Sequence, residues 1–345
     1  MEKLLTIVIP AYNMEALLPR CLDSICVENV MDRVQVLVVN DGSKDRTFEI
    51  ARGYKSRYPH YFTVIDKDNG NYGSCMNVGL AQAQGKYFRT LDADDWYDSQ
   101  AYEQFVDELE RTDADMLICE RNEIFENYVD YKRFDEFVKT AATIDIDSFL
   151  WENKSIKGMI HVSSIAYKTK LVRDSGLMWD TRVFFTDNEF VYWPLMLIKN
   201  IRFFRIPVYQ YDRARDGQST SAQNLRKAFH SYDVVTNRVV DKYLSESDIN
   251  SAVYPIQKGI LIGSLLRQVY MTLFLDGYLH KKEIDVIERK VRQNKELYNI
   301  TNIFDDYRGF HYVDAYRHNK LKFWLIRLDY MIRTSKILRK LFVRL

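Results

Sequence analysis

Short apolar runs alternate with helical patterns of apolar residues over about the first 110 positions of the chain. Runs rich in β-branched and aromatic residues predict strands at 4–9, 34–39, 61–65, 87–91 and 116–119. Between the runs, apolar residues recur every three to four positions and predict helices at 15–26, 44–58, 73–84 and 99–111. This alternation predicts an α/β fold with a mostly parallel sheet and crossover helices.

The pattern loosens beyond residue 120. Residues 123–139 are rich in acids and aromatics and predict an irregular segment or a hairpin. Further on, the spacing predicts helices at 146–151 and 191–198 and an extended segment at 201–211. From residue 224 the chain is predicted to be mainly helical.

The last part of the chain is basic and amphipathic. From Arg317 to Leu345, nine Lys or Arg residues accompany a single acid, Asp329. On a helix, one face would carry Trp324, Leu328, Met331, Leu338, Phe342 and Leu345, and the opposite face Lys322, Arg333, Lys336, Lys340 and Arg344. Two interpretations remain open: residues Lys320–Leu345 lie on an anionic membrane, or they dock on the protein core with a solvated basic face.

Bulk composition narrows the class of protein. The formal net charge is +1 over 345 residues, so no overall field attracts nucleic acid. The apolar run before Pro10 is too short for a signal peptide or a membrane span, and the apolar stretch 259–277 contains Arg267 and Gln268. Four cysteines without a Cys-x-x-Cys pair are typical of a reduced, cytoplasmic protein.

Three carboxylates lie within four positions at the end of the predicted strand 87–91. They belong to the run Thr90-Leu91-Asp92-Ala93-Asp94-Asp95-Trp96. Carboxylates this close repel one another unless a cation lies between them, and hard oxygen ligands favour Mg²⁺ or Mn²⁺. The alternative is an Asp-rich turn that caps the following helix.

Two more polar loops follow predicted strands. Pro10-Ala11-Tyr12-Asn13 follows the first strand, and Asn40-Asp41-Gly42-Ser43 follows the second. Ligands of open α/β sheets bind outside the carboxyl ends of the strands, so these loops and the acid cluster are expected to form one site. A tyrosine face, an isolated Asp and a metal-binding acid pair could together hold a base, a ribose and a diphosphate.

These loops resemble glycosyltransferase family 2, closely over about the first 100 residues and more loosely to about residue 221. The matching motifs are Val8–Asn13, Val39–Ser43, Asn69-Gly70 with Gly73 and Asn77-Val78-Gly79, Gly85-Lys86-Tyr87, and Asp92–Asp95. The resemblance implies a GT-A fold, with a Rossmann-like sheet and a mainly helical C-terminal region. It also implies that residues 1–110 bind the nucleotide-sugar, that 111–225 bind the acceptor, and that 226–345 are the helical region.

The resemblance also implies roles for single residues. Tyr12 would lie against the nucleobase, and Asp41 would accept a hydrogen bond from the base. Asp94 would contact the metal, Asp92 the ribose or the metal, and Asp95 the donor sugar, with helix capping as the alternative for Asp95. The other residues implied in donor binding are Pro10, Asn13, Gly73, Asn77 and Ala93. Many members carry Ala-Arg-Asn where this chain has Cys75-Met76-Asn77, so an arginine that often faces the base or phosphate is missing.

Two later segments resemble further parts of the family. In Phe185-Thr186-Asp187-Asn188-Glu189, Thr186 replaces the first acid of the family's Glu-Asp pair and Asp187 keeps the second. Asp187 would then be the general base and Glu189 its substitute, whereas capping of the next helix is the alternative. In the loop 212–221, Arg213, Arg215, Ser219 and Ser221 could bind the diphosphate, with a solvated loop as the alternative.

Taken together, the sequence predicts an inverting, metal-dependent glycosyltransferase of the bacterial polysaccharide type. It would move a sugar from a nucleotide donor, with UDP expected, to a glycan or lipid-linked acceptor at the inner face of the plasma membrane. Trp96, Trp151, Trp179 and Trp193 are candidates for stacking on sugars, and His161 for the same cleft, with core packing as the alternative. A nucleotidyltransferase and a non-catalytic protein of the same fold remain as other interpretations.

Overall fold

The computed structural model describes residues 2–134, 143–145, 160–214, 229–246, 254, 258, 261–275, 281–304 and 309–334. The chain forms two compact units, Met1–Asp216 and Gly217–Leu345. The first unit contains the sheet predicted from the sequence, together with every loop that carries a candidate site residue within the described ranges.

Ten strands and six α-helices make up the described part of the first unit. The strands are β1 Leu5–Ala11, β2 Val34–Asn40, β3 Phe62–Asp66, β4 Tyr87–Thr90, β5 Trp96–Tyr97, β6 Met116–Ile124, β7 Val129–Lys132, β8 Thr143–Asp145, β9 Ile165–Lys168 and β10 Asn200–Asp212. The helices are α1 Leu18–Ser24, α2 Thr47–Arg57, α3 Asn71–Gln82, α4 Ser99–Leu109, α5 Thr169–Asp174 and α6 Asp187–Tyr192. Short 3₁₀ turns lie at Glu28–Arg33 and Trp193–Met196.

All ten strands belong to one mixed sheet. Its main order is β3-β2-β1-β4-β9-β6-β10-β5, and β7 and β8 pair with β6 and β10. The first four strands are parallel, and β9 is antiparallel to both of its neighbours. Consequently β6 and β10 run in the same direction as β1 and β4, and their carboxyl ends meet at one edge of the sheet.

The hydrophobic core forms around the central strands. Every residue of β2 is buried, as expected for an apolar run in a parallel strand covered on both faces. Leu5, Ile7 and Ile9 of β1 face α1 and α4 in the same cluster as Tyr102 and Phe105. The predicted α/β fold is therefore confirmed, and its core positions the loops at the carboxyl edge.

The boundaries of several elements differ from the sequence prediction for local reasons. The predicted helix 15–26 is limited to Leu18–Ser24, with Pro19 in its first turn, where a proline is tolerated. The predicted helix 44–58 begins only at Thr47, whose backbone N–H donates to the Asp45 carboxylate, and Ser43 instead accepts a hydrogen bond from the Asn13 backbone. The predicted helix 191–198 begins earlier, at Asp187, and tightens to a 3₁₀ turn at Trp193.

The segment after residue 120 forms a hairpin where it is described. Strand β6 continues to Ile124 and pairs antiparallel with β7. The predicted extended segment 201–211 is confirmed as β10. The predicted helix 146–151 lies outside the described residues.

The second unit is helical throughout its described part, as predicted. It contains α7 Phe229–Glu246, a π-helical turn Leu261–Leu266, α8 Arg267–Phe274, α9 Lys281–Arg292, α10 Lys295–Asn302, α11 Tyr312–His318 and α12 Lys320–Thr334. Arg317 and Glu288 form a buried ion pair, and both hydrogen-bond to the Tyr270 hydroxyl. Among the described residues, no helix is long and apolar enough to span a membrane.

Candidate active site

The loops after β1 and β2 are fastened to each other. The Asn13 backbone N–H donates to Ser43 Oγ at 3.0 Å, and the Lys44 N–H donates to Asn13 Oδ1 at 2.8 Å. Asn13 has a φ of 53°, a left-handed conformation that asparagine tolerates. Tyr12 stays 46% exposed beside this junction, so a ring is available to a planar ligand.

Asp41 lies at the start of the second loop and is buried. Its carboxylate accepts hydrogen bonds from the backbone N–H groups of Gly70 and Asn71, both at 2.9 Å. It also pairs with Lys67 Nζ at 2.5 Å. The first turn of α3 therefore fixes Asp41, as expected for an anion at a helix N-terminus. Sequence analysis missed Lys67, whose only signal was its position directly after β3.

The three acids after β4 come together as predicted. Asp92, Asp94 and Asp95 each offer an oxygen, and these oxygens lie within 4.8 Å of one another. The side chains of Asp92 and Asp94 are partly exposed, whereas Asp95 is fully buried. Oxygen donors at this spacing fit a hard divalent cation, so the residues present are suited to Mg²⁺ or Mn²⁺. Ala93, between Asp92 and Asp94, is buried.

Asp95 links the acid turn, which is the segment Asp92–Asp95, to strand β10. Tyr209 donates its hydroxyl to Asp95 Oδ2 at 2.6 Å, and the Asp212 backbone N–H donates to Oδ1 at 2.7 Å. Burial, together with the charges of Asp92 and Asp94, raises the pKa of Asp95 well above its ordinary value. The cap of α4 is Asp98, which accepts from the Ala101 N–H at 2.9 Å, so the acid cluster itself does not cap that helix.

Arg20 holds the same turn from the other side. Its guanidinium donates to the Asp94 carbonyl at 2.5 Å and to Asp212 Oδ2 at 2.8 Å. It also lies 4.0 Å from the centre of the Trp96 ring. Sequence analysis missed Arg20, because a single arginine on a predicted helix carries no local signal of a contact 74 residues away.

Asp187 begins α6. Burial is the main cause of a raised pKa at its carboxyl group, and hydrogen bonds from Asn188 partly oppose it. Thr186 occupies the capping position without a side-chain capping bond. Glu189 is fully buried and accepts a hydrogen bond from the Asp180 N–H at 2.9 Å. Asp187 is thus the more accessible of the two candidate bases.

Helix α3 connects this segment to the rest of the site. The side chain of Asn77 makes two hydrogen bonds to the Trp179 backbone, each at 2.9 Å. A Cβ on Gly73 would lie 2.0 Å from the Asp180 carbonyl oxygen, so only glycine permits this approach. Two residues expected in donor binding therefore contact the segment that leads to Asp187.

Tyr72, also on α3, contacts the strand that leads to the three acids. Its hydroxyl donates to Thr90 Oγ1 at 3.0 Å, directly before the acid turn. Burial and the charges of both Asp92 and Asp187 raise its pKa well above the ordinary value. Asp92 and Asp187, which are far apart in the sequence, thus both raise the pKa of the same hydroxyl. Sequence analysis missed Tyr72, because an aromatic residue on a helix usually packs in a core.

The remaining candidates are distributed as follows. Arg213 donates its backbone N–H to the Ile124 carbonyl at 2.7 Å and stacks over Tyr211. Pro10 lies within β1. Arg215, Ser219, Ser221 and Trp151 lie outside the described residues.

Most of the candidate stacking residues are core residues. Trp179 and Trp193 are each only 2% exposed, so neither offers a ring face to a sugar. Trp96 is partly exposed but already carries the Arg20 guanidinium. Burial and the nearby Arg121 and Arg213 lower the pKa of His161 to about 3, which leaves a neutral imidazole bonded to Ser163.

Known proteins that this chain resembles in sequence include glycosyltransferases. Residues 6–171 match the model of Glycosyl transferase family 2. The uncharacterized glycosyltransferase EpsJ of Bacillus subtilis is 34% identical over 34% of this chain and 34% of its own length. Glycosyltransferase GlyA of Streptococcus pneumoniae is 24% identical over 97% of this chain and 49% of its own length. The chain thus spans about a third to a half of these curated relatives.

Among solved structures, S. aureus TarS 1–349 in complex with UDP-GlcNAc has a TM-score of 0.67 at 15% identity. The match covers 96% of this chain and 93% of that one. Similarity at this level of identity shows the fold. The GT-A fold predicted from the sequence is therefore confirmed.

Proposed function

Residues 6–171 of this chain belong to glycosyltransferase family 2, and on that premise we propose that the protein is an inverting, metal-dependent glycosyltransferase. Its donor is a nucleotide-sugar, in the first place a UDP-sugar, and its acceptor is a hydroxyl of a glycan or lipid-linked glycan. The reaction takes place at the cytoplasmic side of the cell envelope, in the synthesis of an exopolysaccharide, capsule or envelope glycan.

One observation carries this proposal: helix α3 contacts both acidic parts of the site. Tyr72 donates to Thr90 directly before the acid cluster, and Asn77 and Gly73 contact Trp179 and Asp180 in the segment that leads to Asp187. A cluster suited to a cation and a separate, partly desolvated carboxylate are thus tied to the same helix. Sugar transfer needs this combination, because negative charge develops on the leaving diphosphate while a proton leaves the acceptor.

The donor's nucleoside lies between the loops after β1 and β2. Tyr12 offers its exposed ring to the base, with Pro10 and Asn13 shaping the loop around it. The Asp41 carboxylate, already oriented by the first turn of α3, accepts a hydrogen bond from the base. The pairing of Lys67 with Asp41 supplies a cation here, where the family's usual arginine is absent. The UDP-GlcNAc bound by TarS supports UDP as the nucleotide to test first.

Asp94 and Asp92 would hold the metal, and Asp95 positions them. A bound divalent cation would supply charge that offsets the charge of the departing diphosphate. Asp95 is fully buried, and both of its oxygens accept hydrogen bonds from β10. We therefore assign it to the support of the acid turn and not to contact with the donor sugar. Arg213, with Arg215 and Ser219, contributes donors to the phosphates.

Asp187 acts as the general base. It takes the proton of the acceptor hydroxyl, and the resulting oxygen forms a bond to the anomeric carbon. The bond from that carbon to the diphosphate oxygen breaks, and its electron pair leaves with the nucleoside diphosphate. A single displacement of this kind inverts the configuration at the anomeric carbon. The raised pKa of Asp187 makes it a stronger base than an ordinary aspartate. Glu189 is the second candidate for this role.

Thermal unfolding with nucleotides tests the donor site directly. We expect UDP to stabilise the protein more than GDP, dTDP or CDP, and we expect Mn²⁺ to increase the shift, because a ligand that binds the native state stabilises it. Asp94→Ala should remove the increase caused by Mn²⁺. Asp174→Ala is the control, since that carboxylate is exposed on α5 and pairs with Lys170.

Two results would count against the proposal. The first is the absence of a shift with every nucleotide. The second is an Asp94→Ala variant that keeps both the Mn²⁺ effect and sugar transfer from UDP-sugars.

A further inference from the structure

Helix α12 carries a row of exposed apolar side chains. Leu321, Trp324, Leu325, Leu328 and Met331 are between 43% and 73% exposed. They recur at spacings of three and four residues, so they form one stripe along the helix. Single exposed apolar residues are ordinary on protein surfaces, whereas a contiguous stripe of five marks an interaction surface.

The opposite face of the same helix is the one that packs against the second unit. Phe323 is 2% exposed and Ile326 is 4% exposed. The Phe323 ring lies 5.7 Å from that of Phe274 and 5.2 Å from that of Tyr316. The docking interpretation of the sequence is therefore right in part. The helix docks on protein, but through Phe323 and Ile326 and not through the stripe predicted from Trp324, Leu328 and Met331. The membrane interpretation stays a prediction.

An exposed lysine lies beyond each edge of the stripe. At 100° per residue, Lys320 falls about 20° beyond Met331 on one side, and Lys322 falls about 60° beyond Leu325 on the other. Asp329, the single acid from Lys320 to Leu345, pairs with Arg333 at 2.8 Å. The sequence after the helix adds Lys336, Arg339, Lys340 and Arg344, whose structure lies outside the described residues.

We propose that the stripe on α12 binds the surface of an anionic phospholipid bilayer. The apolar side chains enter the boundary between headgroups and acyl chains, and the flanking lysines contact the lipid phosphates. Trp324 suits this depth, because indole has an apolar body and a polar N–H. This inference depends on the second unit alone and does not require the proposed activity.

Charge favours a membrane over a second copy of the chain. A parallel helix pair through this stripe would bring Lys320 and Lys322 close to their own counterparts, and an antiparallel pair would bring them towards the end of the other helix that carries Arg333. Asp329 is already paired within its own helix. The surface of an anionic bilayer offers negative charges to the lysines on both sides of the stripe. Dimerisation is therefore the competing outcome of the test and not part of the proposal.

Vesicle flotation with the full chain tests the proposal. The probes are vesicles of phosphatidylcholine alone and of phosphatidylcholine with about one-third phosphatidylglycerol, at low and at 0.5 M salt. We expect binding to the anionic vesicles to be at least about tenfold stronger than to the neutral ones, and to weaken with salt.

The decisive variant is the triple change Leu321→Ser, Leu325→Ser and Leu328→Ser. These side chains are exposed, so the fold should be unaffected, whereas vesicle binding should fall by about 10- to 100-fold with the lost apolar area. The matched control changes the same three residues to Met, which keeps the apolar surface and should keep binding. Lys320→Glu with Lys322→Glu should reduce binding to the anionic vesicles only.

Three outcomes overturn the proposal. In the first, the parent chain floats no better with anionic than with neutral vesicles. In the second, the serine variant binds like the parent. In the third, light scattering finds a dimer that the serine changes dissolve, with no binding to vesicles by either protein.

Discussion

At the scale of single residues, the carboxylates of the site differ in burial and in hydrogen bonding. Asp95 is buried and bonded on both oxygens, Asp92 and Asp94 remain partly exposed, and Asp187 is partly desolvated. In the proposed mechanism the same type of side chain thus serves as a support, as a pair of metal ligands and as a base. Environment, more than residue type, distinguishes these roles.

The pH dependence of transfer should report on Asp187. Burial raises its pKa, so the base becomes protonated, and activity is lost, as pH falls through a midpoint above the ordinary value of about 4. Asp187→Asn should lower kcat by about 10²- to 10⁴-fold while leaving the thermal shift with UDP unchanged. A profile of kcat against pH, with the nucleotide shift as control, measures both. An asparagine variant with full activity would exclude Asp187 as the base.

Tyr72 should affect turnover more than nucleotide binding. Tyr72→Phe removes the hydroxyl that donates to Thr90 beside the acid turn and leaves the ring in place. Losing one hydrogen bond of about 1–1.5 kcal/mol should reduce kcat about tenfold, with little change in the affinity for UDP. Tyr128→Phe is the control, because Tyr128 is exposed at the tip of the β6–β7 hairpin. Equal losses in the two variants would remove Tyr72 from the site.

At the scale of elements, helix α3 organises the site. Its first turn holds Asp41, Tyr72 reaches Thr90, and Asn77 holds the Trp179 backbone. Three segments distant in sequence are thus fixed by one helix and its N-cap residue.

Breaking the Asn77 contact should loosen the segment that leads to Asp187. Asn77→Ala removes two hydrogen bonds and should lower the free energy of unfolding by about 1–3 kcal/mol. It should also speed hydrogen exchange at the Trp179 amide. Gln82→Ala, exposed at the end of the same helix, should change stability by less than about 0.5 kcal/mol. Unchanged exchange at Trp179 in the Asn77 variant would contradict this role for α3.

At the scale of the whole molecule, the sequence predicts what is local and misses what is distant. Asp41 and the acid cluster could be found because each follows an apolar run that predicts a strand. Arg20, Lys67 and Tyr72 could not, since their contacts join residues 18 to 74 positions apart without a repeating pattern. Strand β9 was missed for a related reason: its four residues acquire their role by insertion between two distant strands.

The position of β9 has a consequence for the order in which the protein can assemble. Residues 165–168 form β9, which lies between β4 and β6 in the sheet. The part of the sheet that ends at β4 therefore cannot join the part that begins at β6 until this late segment has been synthesised. The acid turn is completed later still, because Asp95 accepts hydrogen bonds from Tyr209 and Asp212, and Arg20 pairs with Asp212. On the ribosome, a nascent chain of 150 residues would hold the loop of Asp41 beside acids that still repel one another. Such non-local closure is slow, and it makes completion of this edge of the sheet a late event in folding.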